Sequence, residues 1–404
     1  MLLPLSDDPN PRGIPWMNNA ILATNVAIYF LVSLPLSLTP ADPTSWVFRE
    51  YVEVLRRQLG HRVPMEAILS QVTAYDLFVY LHGFKPAAPE FSDLLASMFL
   101  HANFLHLFGN MLFLWIYGDN VEHRLGHFRY LLWYVLTGMA ASLFHAFFFH
   151  SSMLPLVGAS GAISGVLGFY FRWFPYNRVR LLLLLFPFFM NVVYLPARWV
   201  LGFYLIVDNI LPFLITYGGE GSGVAFGAHI GGFLAGMAAA TWFDRRELGS
   251  ASREAQRLIP ARQVRRADAA SVADAIRTGD MEEAAGEFFH LDAKELRKLA
   301  PQDAFTLGQW LAAHDSARSA LAVFLRLLQH HPDAPEAPAA HLAAAELLLY
   351  RLEEPTLAYQ HIVEALRRTT DDAIVARART MLRDIARQQK FQIGRPRGAR
   401  RPEE

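Results

Sequence analysis

Long uncharged stretches dominate the first part of the chain, to about residue 245 of 404. The longest contains no Lys, Arg, Asp or Glu between Tyr130 and Phe171. A helix needs about 20 apolar residues to cross a bilayer. The pattern therefore predicts six membrane-spanning helices, at residues 18–39, 94–118, 130–149, 157–173, 199–216 and 224–243.

Two segments of this region do not fit a simple span. Residues 181–197 form a seventh apolar run, interrupted by a proline and an asparagine, and composition alone leaves open whether it crosses the membrane or lies at its surface. Residues 40–93 are mixed, and we expect a structured extramembrane loop on the membrane interface. Within that loop the apolar residues with helical spacing are Phe48, Tyr51, Leu55 and Leu59.

Basic residues indicate which side of the membrane each connection faces. The connections after the second, fourth and sixth spans contain arginine, in EHRLGHFR, FRWFPYNRVR and FDRRE. Those after the third and fifth spans contain neither Lys nor Arg. This asymmetry predicts that both termini lie in the cytoplasm. The first apolar run lacks the basic flank and the cleavage site of a signal peptide, so we expect none to be removed.

Three polar clusters interrupt the predicted spans, where polar groups are costly and mark candidate functional sites. The second span contains HANFLHLFGN, in which His106 and Asn110 are four residues apart and share one helical face. The fourth span carries Ser160 in GASG, and the sixth carries His229 in AHIGGFLAG. All three clusters lie near the outer ends of their spans, so we expect them to converge at one level.

A serine and a histidine brought together in this way have a defined chemistry. Histidine deprotonates a serine hydroxyl as a general base and then protonates a leaving amine. Small residues recur at every fourth position in the fourth and sixth spans, which lets membrane helices approach closely. A further crossing between the two spans would separate Ser160 from His229 by roughly 20 Å. The pairing therefore predicts that residues 178–198 are interfacial or re-entrant.

The ordered set of motifs resembles the rhomboid family of intramembrane serine proteases. GASG resembles the family's GxSG, AHIGG its AHxxG, and HANFLHLFGN its HxxxxHxxxN. GDNVEHRLG resembles the family's ExxxG turn, with Glu122 and Gly126 at the two fixed positions. The resemblance covers residues 14–245.

This resemblance implies that Ser160 is the nucleophile and His229 its base, in a dyad without aspartate. Asn110, His106 and the backbone N–H of Ser160 would stabilise the oxyanion. The substrates would be transmembrane proteins cleaved near the outer membrane face, with no metal or cofactor, in a bacterial inner (plasma) membrane. The residues expected to give structural support are His101, Glu122, Arg124, Gly126, Gly158, Gly161, Gly165, Gly232 and Gly236.

One position departs from the family's pattern. Some members have an aromatic residue one turn after the nucleophile, stacked on the catalytic histidine, and here that position is Ser164. We expect Ser164 to pack or to bond its own helix. Asp208 lies about halfway along the fifth span, deeper than the three clusters, which favours a structural or hydration role over orientation of His229.

Other functions remain open at this level. Ser160 alone fits a small residue for helix packing. A rhomboid-like binder without catalytic activity, which holds or routes membrane clients, is the main alternative, and a transporter is a further one. A zinc protease is not indicated because HExxH is absent, and an aspartyl protease fits poorly because Ile116 replaces the first glycine of a GxGD motif.

The remainder of the chain has a different composition. Alanine-rich amphipathic segments align around Ala284, Ala320 and Ala358, which are 36 and 38 residues apart. This spacing resembles the 34-residue period of tetratricopeptide (TPR) repeats. Such arrays usually offer a concave surface to a protein partner, so a partner of this domain is expected. The alternative is a plain helical domain that stabilises or dimerises the protein.

Overall composition adds two exclusions and completes the expected organisation. The chain has 37 Lys and Arg against 37 Asp and Glu, which does not suggest nucleic-acid binding, and it has no cysteine. We expect an all-α fold, a polytopic six-transmembrane-helix core followed by a soluble α-helical repeat domain. The expected segments are a cytoplasmic tail at 1–15, the protease domain at 16–246, a linker at 247–272, the TPR-like domain at 273–390 and a disordered basic tail at 391–404.

Overall fold

The computed structural model of the chain describes residues 2–11, 13–59, 71–185, 189–216, 224–258 and 267–393. It divides into two compact units, Met1–Asp8 with Arg12–Ala240 and Pro9–Pro11 with Thr241–Glu404. The predicted linker at 247–272 begins inside a helix, because Phe226–Leu258 is continuous. Most of the predicted basic tail lies outside the described residues.

The chain is mostly helical, at 73%, which confirms the predicted helical character. Helices occupy all six predicted span segments of the first unit, and shorter ones lie in the loop before the second span. In chain order the helices of this unit are α1 (Trp16–Ser37), α2 (Trp46–Leu59), α3 (Ala74–His82), α4 (Phe91–Ala96), α5 (Phe104–Leu125), α6 (His127–Phe148), α7 (Ser160–Trp173), α8 (Ala197–Leu205) and α9 (Phe226–Leu258).

Among the described residues, three helices are long and apolar enough to cross a membrane: Trp16–Ser37, His127–Phe148 and Ala197–Ile215. Phe91–Phe99 and Phe104–Leu125 would add a fourth span if taken together, although the pair is bent by 89°. The helix α7 has 14 residues and reaches about 21 Å at 1.5 Å per residue. The count of six spans stays a prediction.

A three-stranded sheet in the described residues corrects the all-α expectation. The strands β1 (Leu2–Asp8), β2 (Arg178–Leu185) and β3 (Phe189–Pro196) pair antiparallel in the order β1-β2-β3. The expected tail at 1–15 thus contains an edge strand, and the expected interfacial segment at 178–198 contains the other two. An apolar run of strand length does not distinguish a strand from a short helix by its sequence.

The first strand is fixed to the helices by a buried carboxyl. Asp7 is 5% exposed, and its Oδ2 accepts hydrogen bonds from Nδ2 of Asn120, at 2.9 Å, and from the hydroxyl of Tyr170. Nδ2 of Asn177 donates in turn to that hydroxyl, at 2.9 Å. Burial, and then the neighbouring Asp119, raise the pKa of the Asp7 carboxyl well above its ordinary value. The carboxyl of Asp7 therefore joins β1 to α5 and α7.

The loop before the second span is folded in its described part. The helix α2 begins at Trp46 and buries Phe48, with Leu55 packed against the same cluster, as their helical spacing predicted; it also buries Val52, which that spacing did not include. An ion pair then closes the loop, because Nζ of Lys85 lies 2.7 Å from Oδ2 of Asp93 and both side chains are almost fully buried. The ammonium group also donates to two backbone carbonyls at 2.9 and 3.0 Å, so its buried charge is satisfied.

The second unit consists of helices that pack on their neighbours in sequence around a core of alanine, leucine and phenylalanine. Ala284, Ala320 and Ala358 are all fully buried, and each lies on a helix that packs against the helix before it. Helix pairs are the unit of many repeat proteins, but the TPR assignment stays a prediction. The helices are α10 (Ala269–Thr278), α11 (Met281–Phe288), α12 (Ala293–Leu296), α13 (Pro301–Ala313), α14 (Ala317–His330), α15 (Ala337–Glu346), α16 (Pro355–Arg368) and α17 (Asp372–Ile393).

Candidate active site

Ser160 and His229, 69 positions apart, meet where two helices begin. Oγ of Ser160 lies 2.8 Å from Nε2 of His229. Ser160 is the first residue of α7, and His229 lies in the first turn of α9. The first N–H groups of a helix have no partner within that helix, so Ser160 also brings unbonded backbone donors to this place.

The two helices come this close because glycines face each other. A methyl group at Gly232 would lie 2.1 Å from the carbonyl oxygen of Gly161. One at Gly236 would lie 1.9 Å from the carbonyl oxygen of Gly165. Any larger residue would force α7 and α9 apart, and the short serine side chain would then lose contact with the histidine.

A third residue, Asn209, contacts the other nitrogen of the histidine ring. Oδ1 of Asn209 lies 2.7 Å from Nδ1 of His229. Asn209 is 1% exposed, and its Nδ2 donates to the carbonyl oxygen of Tyr204 at 2.8 Å. It lies in a π turn, Ile206–Ile210, that follows α8. Sequence reasoning missed this residue, although an Asp-Asn pair inside an apolar run is itself a polar signal.

Tyr204 also contacts Ser164, the position where the sequence departs from the pattern expected of the rhomboid family. Its ring lies 6.5 Å from that of His229, centroid to centroid, with an angle of 30° between the planes. Its hydroxyl is 2.8 Å from Oγ of Ser164. Ser164 is fully buried, which fits the packing role expected for it, and its hydroxyl also contacts a neighbouring helix. An aromatic ring is thus present beside the histidine, but it comes from α8 instead of α7.

Of the polar residues of the predicted second span, His106 lies near the same place. The side chain of His106 approaches Gly158 so closely that a methyl group there would be 2.8 Å from Nε2 of His106 and 3.6 Å from Oγ of Ser160. Gly158 has a φ of +125°, which L side chains rarely adopt. Asn110 is 8% exposed, and its Nδ2 has no hydrogen-bond partner among the described residues. The side chain of His106 therefore lies close to the serine, with open space left by a glycine.

His101 supports this arrangement from behind. It is fully buried, and its ring lies 5.2 Å from that of His106 in an edge-on contact. The hydroxyl of Tyr75 donates to its carbonyl oxygen at 2.9 Å and accepts from its backbone N–H at 3.0 Å. These contacts tie the loop before α5 to α3.

The residues of the predicted turn lie at the other end of α5. Glu122 accepts from the backbone N–H groups of Met17 and Asn18 at 2.9 and 2.7 Å, so a carboxylate caps the first turn of α1. Arg124 lies over the ring of Trp173, 4.1 Å from its centroid. Gly126 has a φ of +79° and separates α5 from α6. Their contacts hold three helices together and are distant in sequence from the serine.

One other candidate, Asp208, takes no part in the described contacts of the histidine. Asp208 is exposed, whereas its neighbour Asn209 is the buried residue that contacts His229. Among the described residues, no group of three His, Asp or Glu side chains has a spacing suited to a metal ion.

Residues 88–246, which include every residue of the candidate site, match the Rhomboid domain family. RHOMBOID-like protein 6, mitochondrial, of Arabidopsis thaliana is 28% identical over 233 residues, which are 55% of this chain and 66% of the relative. RHOMBOID-like protein 4 of the same plant is 33% identical over 233 residues, 55% and 51% of the two chains. Rhomboid protease GluP of Bacillus subtilis is 34% identical over 154 residues, 38% and 26%.

The matches support a likeness to the rhomboid family, of which one matched relative, GluP, is named as a protease. The chain spans less than two thirds of the length of each of these relatives. No solved structure matches it.

Proposed function

We propose that this chain is an intramembrane serine protease that hydrolyses peptide bonds of transmembrane proteins near the outer membrane face. The observation that carries the proposal is the 2.8 Å contact between Oγ of Ser160 and Nε2 of His229, inside the segment that matches the Rhomboid domain family. A packing serine would not require a histidine at hydrogen-bond distance within a membrane domain, where polar groups are costly.

The reaction follows from these two atoms. Nε2 of His229 takes the proton of the Ser160 hydroxyl as Oγ attacks the carbonyl carbon of the peptide bond. The carbonyl oxygen becomes an oxyanion in the tetrahedral intermediate. His229 then gives the proton to the leaving nitrogen, the C–N bond breaks, and an acyl-enzyme remains on Ser160. Water, deprotonated by His229, releases the second product and restores the hydroxyl.

The oxyanion is assigned to three donors. The backbone N–H of Ser160 lies at a helix N-terminus, where the backbone dipoles favour negative charge. The side chain of His106 lies beside Gly158, next to Ser160. Asn110 contributes an amide donor that has no other partner among the described residues. Donors fixed before the reaction stabilise the charge as it develops, and in many enzymes this stabilisation contributes most of the rate enhancement.

The remaining assignments rest on the charge pattern of the sequence and on the second unit. Arginine-rich connections after alternate spans favour a cytoplasmic location for both termini, in a bacterial inner membrane. The helical second unit is proposed to recruit or regulate, through a protein partner held against its helix pairs.

Active-site labelling tests the mechanism. A fluorophosphonate, which reacts with activated serines, should label the wild-type protein in detergent and should not label Ser160→Ala or His229→Ala. Labelling of Ser160→Ala at the wild-type rate would show that another residue is the nucleophile. A wild-type protein that stays unlabelled while membrane clients co-purify with it would favour the binder instead.

A further inference from the structure

We infer that Asn209 is a positioning residue that fixes His229 in the one tautomer able to act as a base toward Ser160. The inference rests on the proposed function, and it adds a residue outside the motifs that suggested that function. Its basis is a continuous series of hydrogen bonds from the backbone of α8 to the serine hydroxyl.

The orientation of the Asn209 amide follows from its partners. The carbonyl oxygen of Tyr204 can only accept a hydrogen bond, so the group that faces it at 2.8 Å must be the NH₂ of Asn209. The amide oxygen therefore faces the histidine. An amide oxygen also only accepts, so Nδ1 of His229, at 2.7 Å, must carry a proton.

The tautomer of the histidine is then settled for the reaction. A neutral imidazole with its proton on Nδ1 has a lone pair on Nε2, and Nε2 is the atom 2.8 Å from Oγ of Ser160. The opposite tautomer would point an N–H at the serine and could not accept its proton. Without Asn209 the ring has no such preference, and part of the population would be unable to start the reaction.

Asn209 also stabilises His229 in its protonated, positively charged form. When His229 has taken the serine proton, its ring is positive and both nitrogens donate, so the amide oxygen keeps its hydrogen bond. A neutral amide gives this stabilisation without placing a second ionised group in the membrane, where an isolated charge is costly.

The backbone places Asn209 through a departure from regular α-helix. In the π turn, the N–H of Leu211 bonds the carbonyl oxygen of Ile206, five residues back instead of four. Such turns are frequent at functional sites because they change which side chain faces a neighbour. Here the buried residue is Asn209, while Asp208 is exposed.

The series of contacts closes on the helix where it began. Ser164 and Ser160 lie one turn apart on α7, and the hydroxyl of Ser164 contacts the hydroxyl of Tyr204 at 2.8 Å. The backbone carbonyl oxygen of Tyr204 in turn accepts a hydrogen bond from Nδ2 of Asn209. A ring of polar contacts thus joins three helices, and its members hold Asn209 from two sides.

The test compares substitutions at Asn209 in the full-length protein. Asn209→Leu keeps the branched shape but removes the acceptor, and we expect both kcat and the fluorophosphonate labelling rate to fall by about 10- to 100-fold, with KM within about 2-fold. Asn209→Asp keeps an oxygen toward Nδ1 but loses the NH₂ group that donates to Tyr204, so we expect a partial rescue, with a rate at least about 5-fold above that of Asn209→Leu. A purely structural role would not predict this rescue.

A matched control separates orientation from burial. Asn25 is also a fully buried asparagine in an apolar helix, and its Nδ2 donates to a carbonyl of its own helix, that of Ile21, at 2.8 Å. It has no contact with the histidine, so Asn25→Leu should leave kcat within about 2-fold. Thermal unfolding of each variant in detergent shows whether a loss of activity comes from a loss of fold.

The possible results separate a failure of the inference on Asn209 from a failure of the proposed protease function. Active wild type with Asn209→Leu equal to it, or with Asn209→Asp as impaired as Asn209→Leu in folded protein, would overturn the inference and leave the proposed function standing. Wild type that is neither labelled nor able to cleave a substrate would overturn the proposed function and this inference with it.

Discussion

The side-chain oxygen of Asn209 lies 2.7 Å from Nδ1 of His229, on the side of the ring away from Ser160. In soluble serine proteases an aspartate usually holds this position, where it orients the imidazole and stabilises its positive form. Here a neutral amide occupies it. Ser160, His229 and Asn209 are therefore arranged like a catalytic triad, but the third residue carries no charge. A neutral group suits a site among apolar helices.

The contact between Ser164 and Tyr204 should matter for activity although neither residue touches Ser160. Ser164→Ala and Tyr204→Phe each remove one hydroxyl of the pair, and we expect each to lower kcat by about 3- to 10-fold, the equivalent of one hydrogen bond. The double variant should be no worse than the more impaired single variant, because both remove the same interaction. Strictly additive losses in kcat would show that the two hydroxyls act independently.

The glycine contact between α7 and α9 should be required for the serine and histidine to meet. Gly232→Ala would place a methyl group 2.1 Å from the carbonyl oxygen of Gly161, so we expect a loss of stability of about 1–3 kcal/mol together with loss of cleavage.

Gly202→Ala is the matched control, since a methyl group on this helical glycine meets no atom within 4 Å. We expect its unfolding temperature and its cleavage rate to stay close to those of wild type. Equal effects of the two substitutions would contradict the close packing of α7 and α9.

Asn110 should act on the transition state more than on substrate binding. Asn110→Leu removes an oxyanion donor, and we expect kcat to fall by about 10²- to 10³-fold with little change in KM. Steady-state cleavage of a model substrate in detergent measures both constants. A rise in KM at unchanged kcat would instead assign Asn110 to substrate binding.

The buried carboxyl of the first strand should make stability depend on pH. The pKa of Asp7 is raised in the folded protein, so the folded state holds its proton at pH values where the unfolded chain, with a pKa of 3.8, has lost it. Stability should therefore be highest below pH 3.8 as far as this group is concerned, and should fall as the pH rises toward the raised pKa.

Asp7→Asn removes the ionisation and keeps an acceptor for Asn120 and Tyr170. Its unfolding temperature should exceed that of wild type by a margin that grows between about pH 4 and pH 7. A margin that shrinks over this range would mean that the Asp7 carboxyl is stabilised as the anion.

The residues of the site differ in how far the sequence reveals them. Ser160 and His229 lie in short local motifs, so their meeting could be predicted from the order of the spans. Asn209 could not, because a single extra residue in a π turn decides whether it or Asp208 faces the bundle. Apolar spacing in a sequence assumes a regular helix.

The fold, too, has elements that the sequence reveals and elements that it does not. The helices follow from the length of the apolar runs, whereas the sheet depends on a pairing between Leu2–Asp8 and Arg178–Leu185, which are distant in sequence. Within β2 the side chains alternate, with Val179 and Leu181 buried and Arg178 and Arg180 exposed. The four residues are too few to mark a strand beside a continuous run of leucines.

Cleavage of a single-span substrate in liposomes tests directly whether Ser160 and His229 are the catalytic pair of a protease. We expect the purified wild-type protein to cut the substrate near the outer end of its span, and Ser160→Ala and His229→Ala to lose at least about 10³-fold in rate, since each removes a group that the reaction uses. If both variants cut the substrate as fast as wild type, Ser160 and His229 are not the catalytic pair.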